Sequence, residues 1–540
     1  MTDREEVLRR DAEDLRRLGY GQQLLREMGG FSNFAVSFSI ISVLTGAILL
    51  FGYGLKLAGP IVNSVGWPLV SIFTLAIAAS MAELASAYPT AGGLYFWAFR
   101  LGGRGWAWWT AWLNMIGQVT ITAGINVAAA IYLIGAATRI FHLSDSARVP
   151  LLGALTGWPF QIFAMGVLMV PQVLVNVFGI RATARLNDFS VWWHIAGVTA
   201  IVVLLLFFGR HHNSARFLLR FEPSVTPWDA ASARLADGTT RPALVFGDFR
   251  MPAPLFHLFP GLAPIFQAPP LLLALGLAFL QAQWTYTGYD ASAHMAEETL
   301  MARKNSAWGI FLSVAVSAVV GYVLLLVLTA AIPREGVGAT AADNYPVLFI
   351  LDRNLDPWAA NGIAVVIGGA MWLCGCSSVS SMARMWYAFA RDGGMPGSRW
   401  IRRVSPRSQA PVAAILVTSA LAVAISIYAA AFTVITSIST IALYLAYAIP
   451  IYLNLRNQAR RRGEFTSPKT APWSLGLFAQ PVRLIALGWV VLISVLFSLP
   501  PNELVLWTLL LFALLLAAYW VGRSRHHFRG PAVAAGSDNS

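Results

Sequence analysis

Charge and sulfur are both scarce in this 540-residue chain. Charged residues make up 12% and hydrophobic residues 57%, against roughly 25% and 45–50% in soluble globular domains. So little charge cannot cover a water-facing surface, which argues against a soluble protein. The two cysteines, Cys374 and Cys376, lie two apart inside one apolar run. They make neither a disulfide framework nor a zinc set. Catalytic and phosphate-binding signatures are missing as well. No Walker loop is present, which argues against an ATP-driven pump, and no Ser/His/Asp or HExxH arrangement occurs. The Gly-Gly pairs at 92–93, 102–103 and 393–394 have no strand context. No enzyme activity, metal or cofactor is therefore expected. The first thirty residues are charged, and no signal peptide is read before the first apolar run.

The net charge of +13 could suit nucleic acid, but the basic residues fall in short clusters between apolar runs. That pattern belongs to one face of a membrane and implies no nucleic-acid partner. The runs read as 33–56, 61–88, 105–137, 157–179, 188–208, 269–294, 307–332, 358–388, 411–430, 433–455, 481–499 and 504–522. A span needs about 20 apolar residues, and in lipid only helices and closed barrels satisfy their own backbone. The expectation is an all-α polytopic membrane protein with twelve transmembrane helices. It divides into an N-terminal segment 1–30, spans one to five within 31–208, and a loop 209–268. Spans six to ten lie within 269–457, a loop within 458–480, spans eleven and twelve within 481–523, and a tail within 524–540.

Arginine and lysine set the orientation. Arg4, Arg9, Arg10, Arg16, Arg17, Arg26, Arg100, Arg104, Arg181, Arg185, Arg303, Lys304 and Arg391 fall on one side. So do the clusters at 399–407, 456–469 and 523–529. The positive-inside bias makes that side cytoplasmic, with both termini on it, in a multi-pass protein of the cell (plasma or inner) membrane. The long 209–268 loop then lies outside. Its prolines and aromatics suggest a packed cap. Residues 1–20 and 525–540 read as disordered tails.

Polar residues interrupt several runs. In the first, Ser37, Ser39, Ser42, Thr45 and Gly46 cluster at mid-depth. They make either a small-residue packing face or a discontinuous helix whose freed backbone lines a site. In the sixth, Gln281, Gln283, Trp284, Thr285, Tyr286, Gly288 and Asp290 are followed by His294, Glu297 and Glu298. An ionisable group there costs roughly 2.5–3.5 kcal/mol, so it faces a partner or a cavity. Spans one and six are the pair that a five-plus-five inverted repeat would place in corresponding positions. His194 lies in the fifth run, as a packing residue or a proton carrier. Ser377, Ser378, Ser380 and Ser381 in the eighth make helix–helix contacts or supply oxygen to a coupling ion.

Three segments carry a family resemblance. Met81-Ala-Glu83-Leu-Ala-Ser-Ala-Tyr88-Pro89-Thr-Ala91-Gly92-Gly93-Leu-Tyr95-Phe-Trp97 resembles the end of span two in permeases of the amino acid–polyamine–organocation (APC) superfamily. Thr287-Gly288-Tyr289-Asp290-Ala-Ser292-Ala-His294-Met-Ala-Glu297-Glu298-Thr299 resembles span six of its amino acid/choline, GABA permease-like branch. Ala388-Phe389-Ala-Arg391-Asp392-Gly-Gly-Met395-Pro396 resembles that branch after span eight.

The resemblance implies spans 1–5 and 6–10 as inverted repeats, broken spans one and six around a substrate, and two peripheral helices. It assigns substrate binding to Ser42, Thr45, Gly46, Trp284, Tyr286 and Gly288. It places His194 and Asp290 at coupling or gating positions, to which the hydroxyl run of the eighth span adds Ser377 and Ser378. The family's first glycine of the span-one break is missing, since Leu44 stands before Thr45 and Gly46. His194 falls where many relatives carry a span-five lysine. A zwitterion's carboxylate can then meet free N–H groups near Thr45 and Gly46, and its ammonium the carbonyls near Trp284–Gly288. Trp284 and Tyr286 can close over it.

The implied function is a secondary active transporter, or symporter, moving amino acids or related amines such as GABA by alternating access. Its partners are a small-molecule substrate, the bilayer and a co-transported proton carried by His194 near Ser377–Ser381. A choline or polyamine transporter, an amino-acid exchanger and a non-transporting membrane sensor are the alternatives.

Overall fold

Apolar runs in lipid satisfy their backbone only by coiling on themselves, and the computed structural model is correspondingly helical. It describes residues 3–141, 146–149, 153–246, 249–428 and 432–531. A short helix α1 (Asp3–Arg17) precedes the first span, which is interrupted into α2 (Gly30–Ile41) and α3 (Gly46–Leu49). Then come α4 (Phe51–Ala58), α5 (Trp67–Ala87), α6 (Leu94–Gly102), α7 (Arg104–Phe141), α8 (Gly157–Val177) and α9 (Ile180–Phe208). The sixth span is α10 (Leu271–Ala278), α11 (Leu280–Thr285) and α12 (Ala291–His294). It is followed by α13 (Ala302–Ala330), α14 (Pro357–Arg391), α15 (Val412–Tyr428), α16 (Phe432–Arg460), α17 (Ala479–Leu496) and α18 (Glu503–Tyr519).

Among the described residues ten helices are long and apolar enough to cross a membrane. An eleventh candidate is the bent pair Pro260–Gln267 and Leu271–Thr285, at 86°. The shorter apolar helix Val412–Ile427 falls on the ninth apolar run. This is an all-α polytopic membrane fold.

The core forms where α7 lies between α14 and α16, with α2 packed on α9, α13 and α14. At the periphery, α18 turns Leu510, Leu511, Leu514 and Leu515 outward, as α9 does Trp192, Phe207 and Phe208. Apolar outward faces suit contact with acyl chains rather than water.

Two faces bound the bundle. On one, Tyr20 meets Asp392, Tyr88 meets Glu464, Arg303 meets the Ser86 carbonyl, and Phe389 packs on Phe528. Tyr20 and Phe528, near either end of the described residues, both reach this terminal face. On the other, residues 209–268 form the cap expected from their composition. Strands β3 (Ser232–Arg234), β4 (Thr240–Phe246) and β5 (Phe249–Pro252) make an antiparallel sheet, after a separate hairpin of β1 (Ser146–Val149) and β2 (Gly153–Thr156). Trp228, Phe256 and Phe266 pack in series beside the sheet, the first pair tilted and the second edge-on. The cap is pinned by Leu255 N–H on Glu503 Oε1 (2.7 Å) and Ser224 N–H on the Lys56 carbonyl (2.9 Å).

The expected disorder of residues 1–20 is corrected. Asp3–Arg17 is helical, with Leu15 and Tyr20 buried. Glu6–Arg10 and Glu13–Arg17 pairs at i,i+4 support the helix. Asp11 fastens it by accepting from Met301 N–H at 2.8 Å. In the other tail, Phe528 is buried, and residues 532–540 lie outside the described residues.

Candidate functional site

Serine hydroxyls compete with the backbone for hydrogen bonds, and the first span breaks where they cluster. Helix α2 stops at Ile41, and Ser42 takes φ +33°, a left-handed conformation that is costly for a residue with a Cβ. The cost is offset by side-chain bonds. Ser42 Oγ lies 2.7 Å from Thr45 Oγ1 and 2.7 Å from His194 Nε2 on α9. His194 Nδ1 lies 2.7 Å from the Ser190 carbonyl. Nδ1 must donate to that carbonyl, while Ser42 can donate to Nε2. A neutral imidazole therefore satisfies both contacts, and His194 acts here as a strut between α9 and the break.

The second break follows Thr285. Gly288, at φ +85°, sits where a side chain would be strained. Residues from two other helices hold the segment. Tyr286 OH bonds Ser71 Oγ on α5 at 2.6 Å, and the Tyr286 carbonyl accepts from Tyr444 OH on α16. Gly288 N–H reaches Tyr447 OH at 3.3 Å, and Trp284 Nε1 donates to Ser439 Oγ at 3.1 Å.

The two breaks touch. A Cβ on Gly46 would sit 2.5 Å from Thr285 Oγ1 and 2.7 Å from Thr285 Cα, and one on Gly288 would overlap Ile40. Ser42, Thr45, Gly46, Trp284, Tyr286 and Gly288 are thus brought together, and all are buried. Tyr286 lies against Trp67, with ring centroids 4.8 Å apart.

The coupling candidates separate. Asp290 sits at the end of the second break, bonded to Asn114 and Gln118 of α7, Tyr447 of α16 and His294 of α12. Ser377 bonds Asn187 Oδ1 on α9, and Ser378 lies 2.6 Å from Thr122 Oγ1 on α7. Neither is hydrogen-bonded to His194, whose partners are Ser42 and Ser190. No His/Cys/Asp/Glu cluster able to hold a metal occurs among the described residues.

A second polar assembly closes the terminal face, and it is ionic. Glu297 receives both Arg391 Nη atoms at 2.9 Å, and Glu298 is gripped by Arg384 at 2.9 and 3.1 Å. Ala91 N–H donates to Glu297 Oε1 at 3.1 Å. Residues 20–28 lie across these pairs as a strap. Tyr20 OH donates to Asp392 Oδ2 at 2.7 Å, and Tyr95 OH reaches the same oxygen. The Arg391 guanidinium lies 3.9 Å above the Tyr20 ring. Met28 pairs with Thr299 as a β-bridge, and Arg26 caps the Ala296 and Thr299 carbonyls. Burial pushes the Asp392 carboxyl up to about 7, although the Tyr20 bond opposes the shift. The segments 81–97, 287–299 and 388–396 converge here.

The amino acid permease family matches over residues 29–521. The chain belongs to that family. This permease is 34% identical to the amino-acid permease BAT1 of Arabidopsis thaliana, with 96% of this chain and 95% of that protein covered. It is 31% identical to the BAT1 homolog of Oryza sativa subsp. japonica, covering 96% and 94%. An uncharacterized amino-acid permease of Schizosaccharomyces pombe is 28% identical, covering 98% and 89%. The permease is therefore an APC-superfamily membrane transport protein rather than an enzyme.

Several residues that hold the second break are not evident from motifs. Ser71, Asn114, Gln118, Ser439, Tyr444 and Tyr447 surround the second break. A signal was present. Asn114 and Gln118 are amides at i,i+4 in an apolar run, and Tyr444 and Tyr447 are hydroxyls at i,i+3 in another.

Proposed function

We infer that the permease is a secondary active transporter of amino acids or related amines such as GABA, using alternating access and driven by proton co-transport. The observation that carries this reading is the contact of two interrupted helices at Gly46–Thr285 and Ile40–Gly288. Interrupted helices crossing inside an apolar bundle supply what a zwitterion requires. Amide N–H and the positive helix end near Thr45 and Gly46 suit its carboxylate. Carbonyls and the aromatic faces of Trp284 and Tyr286 suit its ammonium. Ser42 and Gly288 complete the binding set. His194, Asp290, Ser377 and Ser378 serve gating and coupling, His194 by holding the break in place.

The terminal face is assigned to the cytoplasm, because Arg100, Arg303 and Arg391 gather there. The cap then lies outside a cell membrane crossed by twelve helices, arranged as two inverted five-helix repeats and a peripheral pair.

The test is uptake by purified protein in liposomes. Liposomes loaded with unlabelled amino acids and GABA should take up the same radiolabelled compounds by counterflow. An imposed pH gradient, acidic outside, should drive accumulation without sodium. A cysteine replacing Ser214 should react with an impermeant maleimide from the side opposite one replacing Ser467. Absence of counterflow for every compound rejects the transporter reading, and strict sodium dependence rejects the proton.

A further inference from the structure

The Asp290 carboxylate accepts from four donors. Oδ2 receives Asn114 Nδ2 at 2.9 Å, Gln118 Nε2 at 3.1 Å and His294 Nε2 at 3.0 Å. Oδ1 receives Tyr447 OH at 2.9 Å. Tyr447 already accepts from Gly288 N–H, so its own hydrogen is free for Oδ1. Four accepted bonds fill an ionised carboxylate, and a proton on Oδ2 would point at three N–H groups. The other edge of His294 is equally restrictive. Its Nδ1 lies 3.2 Å from the Ala91 carbonyl oxygen, which can only accept. Both ring nitrogens face acceptors, and only the imidazolium donates from both. Both side chains are wholly buried.

We propose that Asp290 and His294 together carry the co-transported proton, with the Ala91 carbonyl deciding when it leaves. This rests on the proton-coupled reading above. Ala91 is held from its other side by Glu297, which Arg391 clasps, so the pair is wired to the terminal-face ion pairs. The groups facing the pair from neighbouring elements add little net charge. Helix α16 brings Tyr447, with Tyr444 beside it, and the second break brings Tyr289. Glu297 and Glu298, just after His294, are each paired with an arginine of α14. Helix α7 contributes only amides, and α2 only Asn33 and Ser37, through Ser292.

When the terminal face opens, the turn bearing Ala91 withdraws and Nδ1 loses its acceptor. The Nδ1–H bond then breaks, its electron pair stays on the ring, and the proton passes to water. The pair goes from neutral to one net negative charge. A neutral loaded pair can cross the closed state without burying net charge, and an emptied one favours reloading.

The test compares wild type, His294→Gln, the uncharged double variant Asp290→Asn/His294→Gln, and His194→Gln in proteoliposomes. The probe is radiolabelled GABA with a mixture of the common amino acids. Counterflow and accumulation driven by a pH gradient are measured in parallel. In His294→Gln, pH-driven accumulation should be lost while counterflow stays measurable. If that variant fails to fold because Asp290 is left unpaired, the double variant should show the same split, since removing both charges leaves none unpaired. Accumulation retained in either variant overturns the proposal. So does loss of accumulation in His194→Gln with retention in His294→Gln, which would assign the proton to His194. A wild type with counterflow but no pH-driven accumulation instead rejects proton coupling itself, and this proposal with it.

Discussion

The break region and the terminal-face closure are both buried and polar, yet they are held differently. Around the breaks the contacts are glycine against side chain and hydroxyl against imidazole, hydroxyl or carbonyl. At the terminal face they are carboxylate against guanidinium. Neutral hydrogen bonds contribute about 0.5–1.5 kcal/mol net and exchange readily with a ligand's polar groups. A buried ion pair is unforgiving, because removing one partner strands a charge. The contrast fits the proposed roles, a break region whose contacts can exchange and a closure held by charge. Asp290 and His294 lie between the two and share features of both.

Three substitutions probe this contrast. The largest effect on transport is expected at the breaks. In Gly46→Leu the new side chain meets the Thr285 backbone at 2.7 Å, where nothing flexible can yield. Uptake should vanish, with an overpacking cost of about 1–3 kcal/mol or more. Counterflow and monodispersity in detergent check this, and normal transport by the variant would move the site elsewhere.

Next comes the terminal face. Arg384→Ala leaves Glu298 buried and unpaired, and should lower stability by about 3–5 kcal/mol. Thermal unfolding in detergent reads it. A loss below about 1 kcal/mol would place the pair with ordinary surface ion pairs and erase the distinction drawn here.

The smallest effect is expected at Asp392. An ordinary carboxyl gives up its proton near 3.8, but this one holds its proton to about 7 in the folded protein. The folded state therefore binds more protons between those values. Stability from this group is complete below about 4 and falls as pH rises through 7. Protection of the amides of residues 18–28, relative to their intrinsic exchange rates at each pH, should accordingly be lower at pH 8 than at pH 5 in wild type. The difference should shrink in Asp392→Asn, and an unchanged difference would show that another group titrates.

Local patterns carried much of this arrangement. Apolar length located the helices. Hydroxyls with Gly46, and Thr287-Gly288 with Asp290, located both breaks, because broken helices need residues that compete with or free the backbone. Facing partners were not legible. Serines at 377 and 378 point about 100° apart on α14, but only packing reveals that they meet Asn187 and Thr122 rather than His194. The N-terminal segment was misread for a related reason. Its composition is that of a solvated tail, yet it is tied to Met301 and Asp392, far away in sequence. Local composition cannot see such partners.

Those long separations govern how the chain can be made. Tyr20 and Asp392 are 372 residues apart, and Glu83 and Arg483 are 400 apart. At about 5–20 residues per second of synthesis, the strap waits roughly 20–75 s for Asp392 to emerge. Glu83 waits comparably for its arginine. A carboxylate cannot lie bare in lipid for that interval. The ribosome-bound intermediate must therefore keep the lower end of α5 in the headgroup layer, or its carboxyl protonated, until α17 arrives. Truncations that remove only α17 and α18 should be met by quality control as unfinished proteins, even though both helices lie at the rim.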